Sequence, residues 1–91
     1  MKYLIIFEIK FKTNMEKVLE ILRDYGFKQI QNHCFSGNIN NVEFVGFKSK
    51  VSELVKEKDS LIIFPLCNNC YMKKEIYGRE INFEKEYYKI L

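Results

Sequence analysis

The sequence predicts one α+β domain, on three observations. Two short apolar runs rich in β-branched and aromatic residues, Tyr3–Ile9 and Leu61–Phe64, read as buried strands. Two stretches repeat apolar residues at helical spacing, and each opens with a capping-box pattern. The chain has 91 residues, 47% of them hydrophobic, with eight Phe and six Tyr, which suits a single packed core and excludes a disordered chain. A chain this short buries only about 60% of its unfolded surface, so a subunit interface would add useful apolar burial.

The elements follow in order. After Tyr3–Ile9, Thr13 and Glu16 form a T-x-x-E box with Thr13 as the expected N-cap. Met15, Val18, Leu19 and Leu22 make the apolar stripe, and Gly26 supplies the left-handed residue that ends the helix. Phe27 to Phe35 mixes polar and apolar residues and is either one bent strand or a tight hairpin, closed by a turn or bulge at Phe35-Ser36-Gly37. Asn40 and Glu43 open the second helix, whose stripe is Phe44, Phe47, Val51, Leu54 and Val55. Gly46 inside it costs about 1 kcal/mol relative to Ala, which points to a close helix–sheet contact. Pro65 lacks an N–H and is expected to end the last ladder. Tyr71–Tyr77 is a further strand candidate. Residues 79–91 alternate charged and aromatic residues without a clean period and read as a tail ordered by a partner surface.

Composition narrows function only by exclusion. With 15 basic against 12 acidic residues the net charge is +3, too small to argue for nucleic acid except through a local patch. Three cysteines, an odd number, suit a reducing cytoplasm better than a disulfide framework. No apolar run approaches the roughly 20 residues that span a bilayer, so the expectation is a soluble, cytoplasmic chain.

Two clusters carry a resemblance: Tyr25-Gly26-Phe27 with Gln31, Phe35 and Gly37, and Asp59-Ser60, four apolar residues, then Pro65-Leu66-Cys67 and Cys70. In this order they resemble the CRISPR-associated protein 2 family, over Met1 to about Gly78. The resemblance implies two strands between the helices and hence a ferredoxin-like βαββαβ domain over residues 1–78. An additional C-terminal strand would pair with a second protomer, and the tail 79–91 would pack on that protomer, in a homodimer. It also implies a subunit of CRISPR adaptation that bridges integrase dimers on duplex DNA, and metal-dependent cleavage of RNA or DNA as a second activity. Other readings are a stand-alone toxin-like endoribonuclease and a small-ligand regulatory dimer.

Site residues follow from position and from that resemblance. Family members usually carry an aspartate at the end of the first strand, where this chain reads Phe7-Glu8-Ile9. Glu8 is therefore the candidate catalytic residue and ligand of a Mg²⁺ ion shared across the dimer, although its side chain is longer by one methylene, about 1.5 Å. The bland reading is a solvated strand-end glutamate paired with Lys10 or Lys12. Lys10, Lys12 and Lys17 are the candidate phosphate-binding group, with Arg23, Lys28, Lys73, Lys74 and Arg79 as extensions.

His33, the sole histidine, and Gln31 read as interface or packing residues, and Asp59-Ser60 as a turn that the family match would hold in place. Cys67-Asn68-Asn69-Cys70 looks like half of a zinc site, with only Cys34 and His33 left to complete it. A Cys-x-x-Cys also resembles a redox motif, but such motifs normally begin a helix in a different fold. Structural thiols or a turn are the expected role.

Overall fold

The computed structural model describes residues 1–83. The elements are β1 (Lys2–Glu8), α1 (Lys12–Asp24), β2 (Lys28–Gln31), β3 (Cys34–Asn38), α2 (Asn41–Ser52), β4 (Ser60–Leu66) and α3 (Asn68–Met72). The strands form one antiparallel sheet in the order β2-β3-β1-β4, the ferredoxin-like arrangement. Alternation along β1 sends Tyr3, Ile5 and Phe7 into the core. There they meet Val18 and Leu22 of α1, Phe47 and Val51 of α2, and Phe35 of β3. Both long helices therefore cover one face of the sheet.

Among the described residues the two long helices leave the other face open around Ile6, Ile62 and Phe64, while Tyr71 of α3 covers its Lys2 and Ser36 end. Leu4, Ile6, Cys34, Ile62, Phe64 and Leu66 share it by register, with Ile6 39% and Ile62 and Phe64 each 46% exposed. Among the described residues no helix is long and apolar enough to cross a membrane.

Helix α1 starts earlier than its box predicts. Its N-cap is Phe11, extended at φ −85° and ψ 126°, with no side-chain cap, and Thr13 lies inside the first turn. The reason is tertiary: Asp59 holds the Lys10 N–H at 2.8 Å and turns the chain into the helix two residues sooner. At the other end Gly26 has φ +85°, Gly26 N–H donates to Arg23 O at 3.0 Å, and Phe27 N–H donates to Leu22 O at 2.9 Å. That pair of bonds is a Schellman motif.

The stretch after it resolves as a hairpin. Asn32 and His33 form the turn, with His33 at φ 59°, and the register shifts between Gln29 and Gln31. Phe35-Ser36-Gly37 does not close the strand but lies inside β3. Gly37 is there for packing: a Cβ on it would fall 2.6 Å from Phe27 Cδ1 and 3.1 Å from Phe27 Cα.

Helix α2 follows its predicted capping box, with Glu43 N–H donating to Asn40 Oδ1 at 2.8 Å and Asn40 N–H to Glu43 Oε1 at 3.4 Å. Gly46 faces the Tyr25 hydroxyl at the end of α1, where a Cβ would come within 2.9 Å, so the close contact is to that ring and not to the sheet. The last ladder runs past Pro65, which pairs with Tyr3, to Leu66 opposite Lys2. Strand β4 lies at the sheet edge, where a missing N–H can face outward without breaking a bond.

The strand expected over Tyr71–Tyr77 is not formed in the single chain. Asn68–Met72 is helical, with Tyr71 N–H donating to Cys67 O at 2.9 Å and Lys73 N–H to Asn69 O at 3.1 Å. The Tyr71 ring is buried, with Lys2 Nζ 4.6 Å and Lys74 Nζ 3.6 Å from its centroid, and Phe83 meets it edge-on at 5.9 Å. Burying that ring and closing helical bonds overrides the β preference of the segment. Of the expected tail, residues 79–83 belong to the described chain and residues 84–91 lie outside it.

Candidate functional site

The end of β1 positions the candidate residues. Glu8 closes the strand opposite Ser60 and, by alternation with the buried Phe7, projects on the side opposite α1 and α2. Its Oε1 lies 3.5 Å from Lys10 Nζ, and both side chains are more than half exposed. Water screens such a pair, so it stabilises the fold little. This is the solvated strand-end arrangement that the sequence offered as the plainer alternative.

Lys10 precedes α1 and Lys12 begins it, both exposed, and the first turn of that helix, Lys12-Thr13-Asn14, carries no acidic side chain. Lys17 is also exposed but lies five positions beyond Lys12, about 140° around the helix. The structure thus brings Lys10 and Lys12 to one loop and sets Lys17 on another side. Lys28 and Lys74 do not extend this group. They gather with Lys2 around Tyr71 at the opposite end of the sheet, about 20 Å along β1.

What holds the loop is Asp59. Its Oδ1 accepts the Lys10 N–H at 2.8 Å and its Oδ2 accepts the Lys56 N–H at 2.9 Å. These two N–H groups, Lys10 first, hold the carboxyl below the usual carboxylate range. The sequence marked Asp59 as a turn residue, and no local signal could show that its partner is Lys10. His33 lies at the same end of the sheet: its carbonyl accepts the Phe7 N–H at 3.0 Å and its ring lies 5.5 Å from that of Phe7.

The donor set for a metal was tested within the chain. Among the described residues no three His, Cys, Asp or Glu side chains converge. Both Asp59 oxygens are engaged by backbone N–H groups, and Glu8 pairs with Lys10. Among the described residues one chain alone therefore does not bring together a divalent-ion site. Nor does it close a zinc site: Cys34 pairs with Ile6, whereas Cys67 follows Leu66, which pairs with Lys2, about 13 Å further along the strand.

An antiparallel β2-β3-β1-β4 sheet with α1 and α2 on one face, and Ile6, Ile62 and Phe64 partly exposed on the other, defines a ferredoxin-like domain. The family model for CRISPR associated protein Cas2 matches residues 1–74. The chain belongs to that family.

Curated relatives agree. The chain is 34% identical over 77 residues to a CRISPR-associated endoribonuclease Cas2 of Fusobacterium nucleatum, covering 84% of this chain and 72% of that protein. It is 29% identical over 83 residues to one from Methanocaldococcus jannaschii, covering 90% and 71%. Among solved structures, Streptococcus pyogenes Cas2 superposes with a TM-score of 0.73 at 25% identity, over 86% of this chain and 100% of that one. A hypothetical protein from Thermus thermophilus gives 0.74 at 19% identity, over 89% and 96%, a likeness of fold.

Proposed function

We propose that the chain works as a symmetric homodimer in CRISPR adaptation, bridging integrase dimers on captured duplex DNA. The supporting observation is the sheet face opposite α1 and α2, where Ile6, Ile62 and Phe64 stand 39%, 46% and 46% exposed in one contiguous patch. Apolar patches of this kind mark protein contacts, and a second copy offers the matching surface. With a twofold axis across this face, Lys10, Lys12 and Lys17 would be presented twice. Phosphate contacts of that kind are indifferent to base sequence. In this role the dimer acts as a charged spacer and needs no chemistry of its own.

The test is a pull-down of the tagged chain from its native organism, with co-purifying protein and nucleic acid both identified. An integrase together with duplex DNA supports the proposal. Growth arrest on lone expression, with RNA degraded, would instead favour a toxin-like endoribonuclease. Affinity for a small molecule and none for nucleic acid would favour a regulatory dimer.

A second reading, metal-dependent cleavage, is favoured by the names of the curated relatives, which are endoribonucleases. Glu8 of each of two copies, with a substrate phosphate, would then hold Mg²⁺, because both oxygens of the neighbouring Asp59 are held by backbone N–H groups. The ion would supply activation of water and would offset charge on the scissile phosphate. Glu8 would first have to release Lys10.

A further inference from the structure

Cys67 and Cys70 begin a helix. Cys67 is the N-cap of α3, extended at φ −72° and ψ 160°, and its Sγ accepts the Cys70 N–H at 3.3 Å. That bond sets the Cys67 sulfur on the first turn beside the Cys70 backbone. Cα atoms three apart across a first helical turn are about 5 Å apart, inside the span a disulfide bridges. Both thiols are free and exposed.

The two sulfurs are not equivalent. The Cys70 N–H, and after it the Cys70 thiol, hold the Cys67 thiol below its ordinary range, while donating to Cys67 pushes Cys70 up. Cys34 is the internal contrast: half-buried on β3, raised by burial, and distant from the pair. A low thiol in reach of a second thiol is the arrangement of an attacking and a resolving cysteine.

We propose that Cys67 and Cys70 are a redox-active dithiol that closes to an intrachain disulfide by exchange with a low-molecular-weight disulfide, oxidised glutathione being the probe. The Cys67 thiolate attacks one sulfur of that disulfide, whose S–S bond breaks and releases one glutathione. Cys70 then gives up its proton and attacks the Cys67 sulfur. The second glutathione leaves and takes up a proton. Two protein thiols are oxidised and one small disulfide is reduced to two thiols. Oxidation removes Cys67 as the acceptor that opens α3, the helix that seats Tyr71 between Lys2 and Lys74.

The full chain, equilibrated with glutathione at set ratios of reduced to oxidised form, acid-quenched, alkylated and peptide-mapped, tests this. The expected product is a Cys67–Cys70 link with Cys34 alkylated. Cys70→Ser should accumulate one glutathione on Cys67. Cys67→Ser keeps a hydroxyl cap for α3 and should be modified at Cys70 at least about tenfold more slowly. The proposal is overturned by the absence of a 67–70 link at every ratio, by disulfides only between chains, or by Cys34 reacting as fast as Cys67.

Discussion

Asp59 accepts the Lys10 N–H at 2.8 Å and so ties the loop after β1 to the loop before β4, across 49 positions of chain. Its second oxygen takes the Lys56 N–H at 2.9 Å. The loop that carries Lys10 and leads into Lys12 is therefore held by a residue outside the candidate site.

Asp59→Asn keeps one acceptor but turns an amide NH₂ toward the other N–H. We expect a lower melting temperature at pH 7 and a changed pH profile. The folded carboxyl titrates below its ordinary value because two N–H groups hold it ionised. Its stabilisation is therefore full above the unfolded carboxylate pKa of about 3.9 and fades as pH falls through the lower folded value. Thermal melts from pH 7 to pH 2 should show this component in the wild type and not in the Asn variant. Identical profiles would contradict the assignment.

Two glycines should respond oppositely to alanine. A Cβ at Gly37 meets Phe27 Cδ1 at 2.6 Å and its backbone Cα at 3.1 Å, with Phe27 4% exposed, so the neighbour has nowhere to go. Gly37→Ala should destabilise by about 1–3 kcal/mol in denaturant titration. A Cβ at Gly46 meets only the hydroxyl tip and far ring edge of the half-buried Tyr25. Gly46→Ala should stabilise, toward the helix-propensity gain of about 1 kcal/mol.

Phe64 is 46% exposed on the sheet face opposite α1 and α2, so a charge there leaves the core intact. Phe64→Glu should retain the circular dichroism of the wild type yet lose the proposed self-association through this face, read as a smaller sedimentation coefficient than that of the wild type at the same concentration. A variant that still sediments as a dimer would place the subunit contact elsewhere.

Each lysine that neutralises one phosphate adds about 0.9 to the slope of log affinity against log salt. Replacing Lys10 and Lys12 by Ala should lower that slope by roughly 2 for each chain in contact, and adding Lys17→Ala should lower it further. Duplex binding measured between low and physiological salt reads this directly. An unchanged slope would remove these residues from the interface.

Glu8→Gln breaks an exposed ion pair, so unfolding stability should change by less than about 1 kcal/mol. Duplex binding should persist, and any Mg²⁺-dependent cleavage by the purified protein should disappear. Cleavage that survives in the variant excludes Glu8 as the ligand.

What was legible in the sequence was local. The Asn40/Glu43 box and the Gly26 stop could be read because each donor and acceptor lies within a few positions of its partner. The Thr13/Glu16 box carried the same pattern but lost to the Asp59–Lys10 bond, which no window of sequence contains. Tyr71–Tyr77 looked like a strand by composition, whereas in the single chain Asn68–Met72 is helical and the Tyr71 ring is buried beside Lys2 and Lys74. Glu8 could be placed at the strand end. Lys10 and Lys12 were both open as its partner, and only the fold selects Lys10 and sets Lys17 on another side of α1.

The sheet order also governs how the chain must assemble. Strand β1 is made first but is flanked by β3 and β4, the third and fourth strands in the sequence. During synthesis its backbone groups stay unpaired until Cys34–Asn38 emerges on one side and, later still, Ser60–Leu66 on the other. Hairpin β2–β3 can form early and locally, whereas docking of β1 against β4 must await nearly the whole domain. A ribosome stalled before Ser60 would therefore hold an apolar strand with one edge open to whatever chain lies nearby.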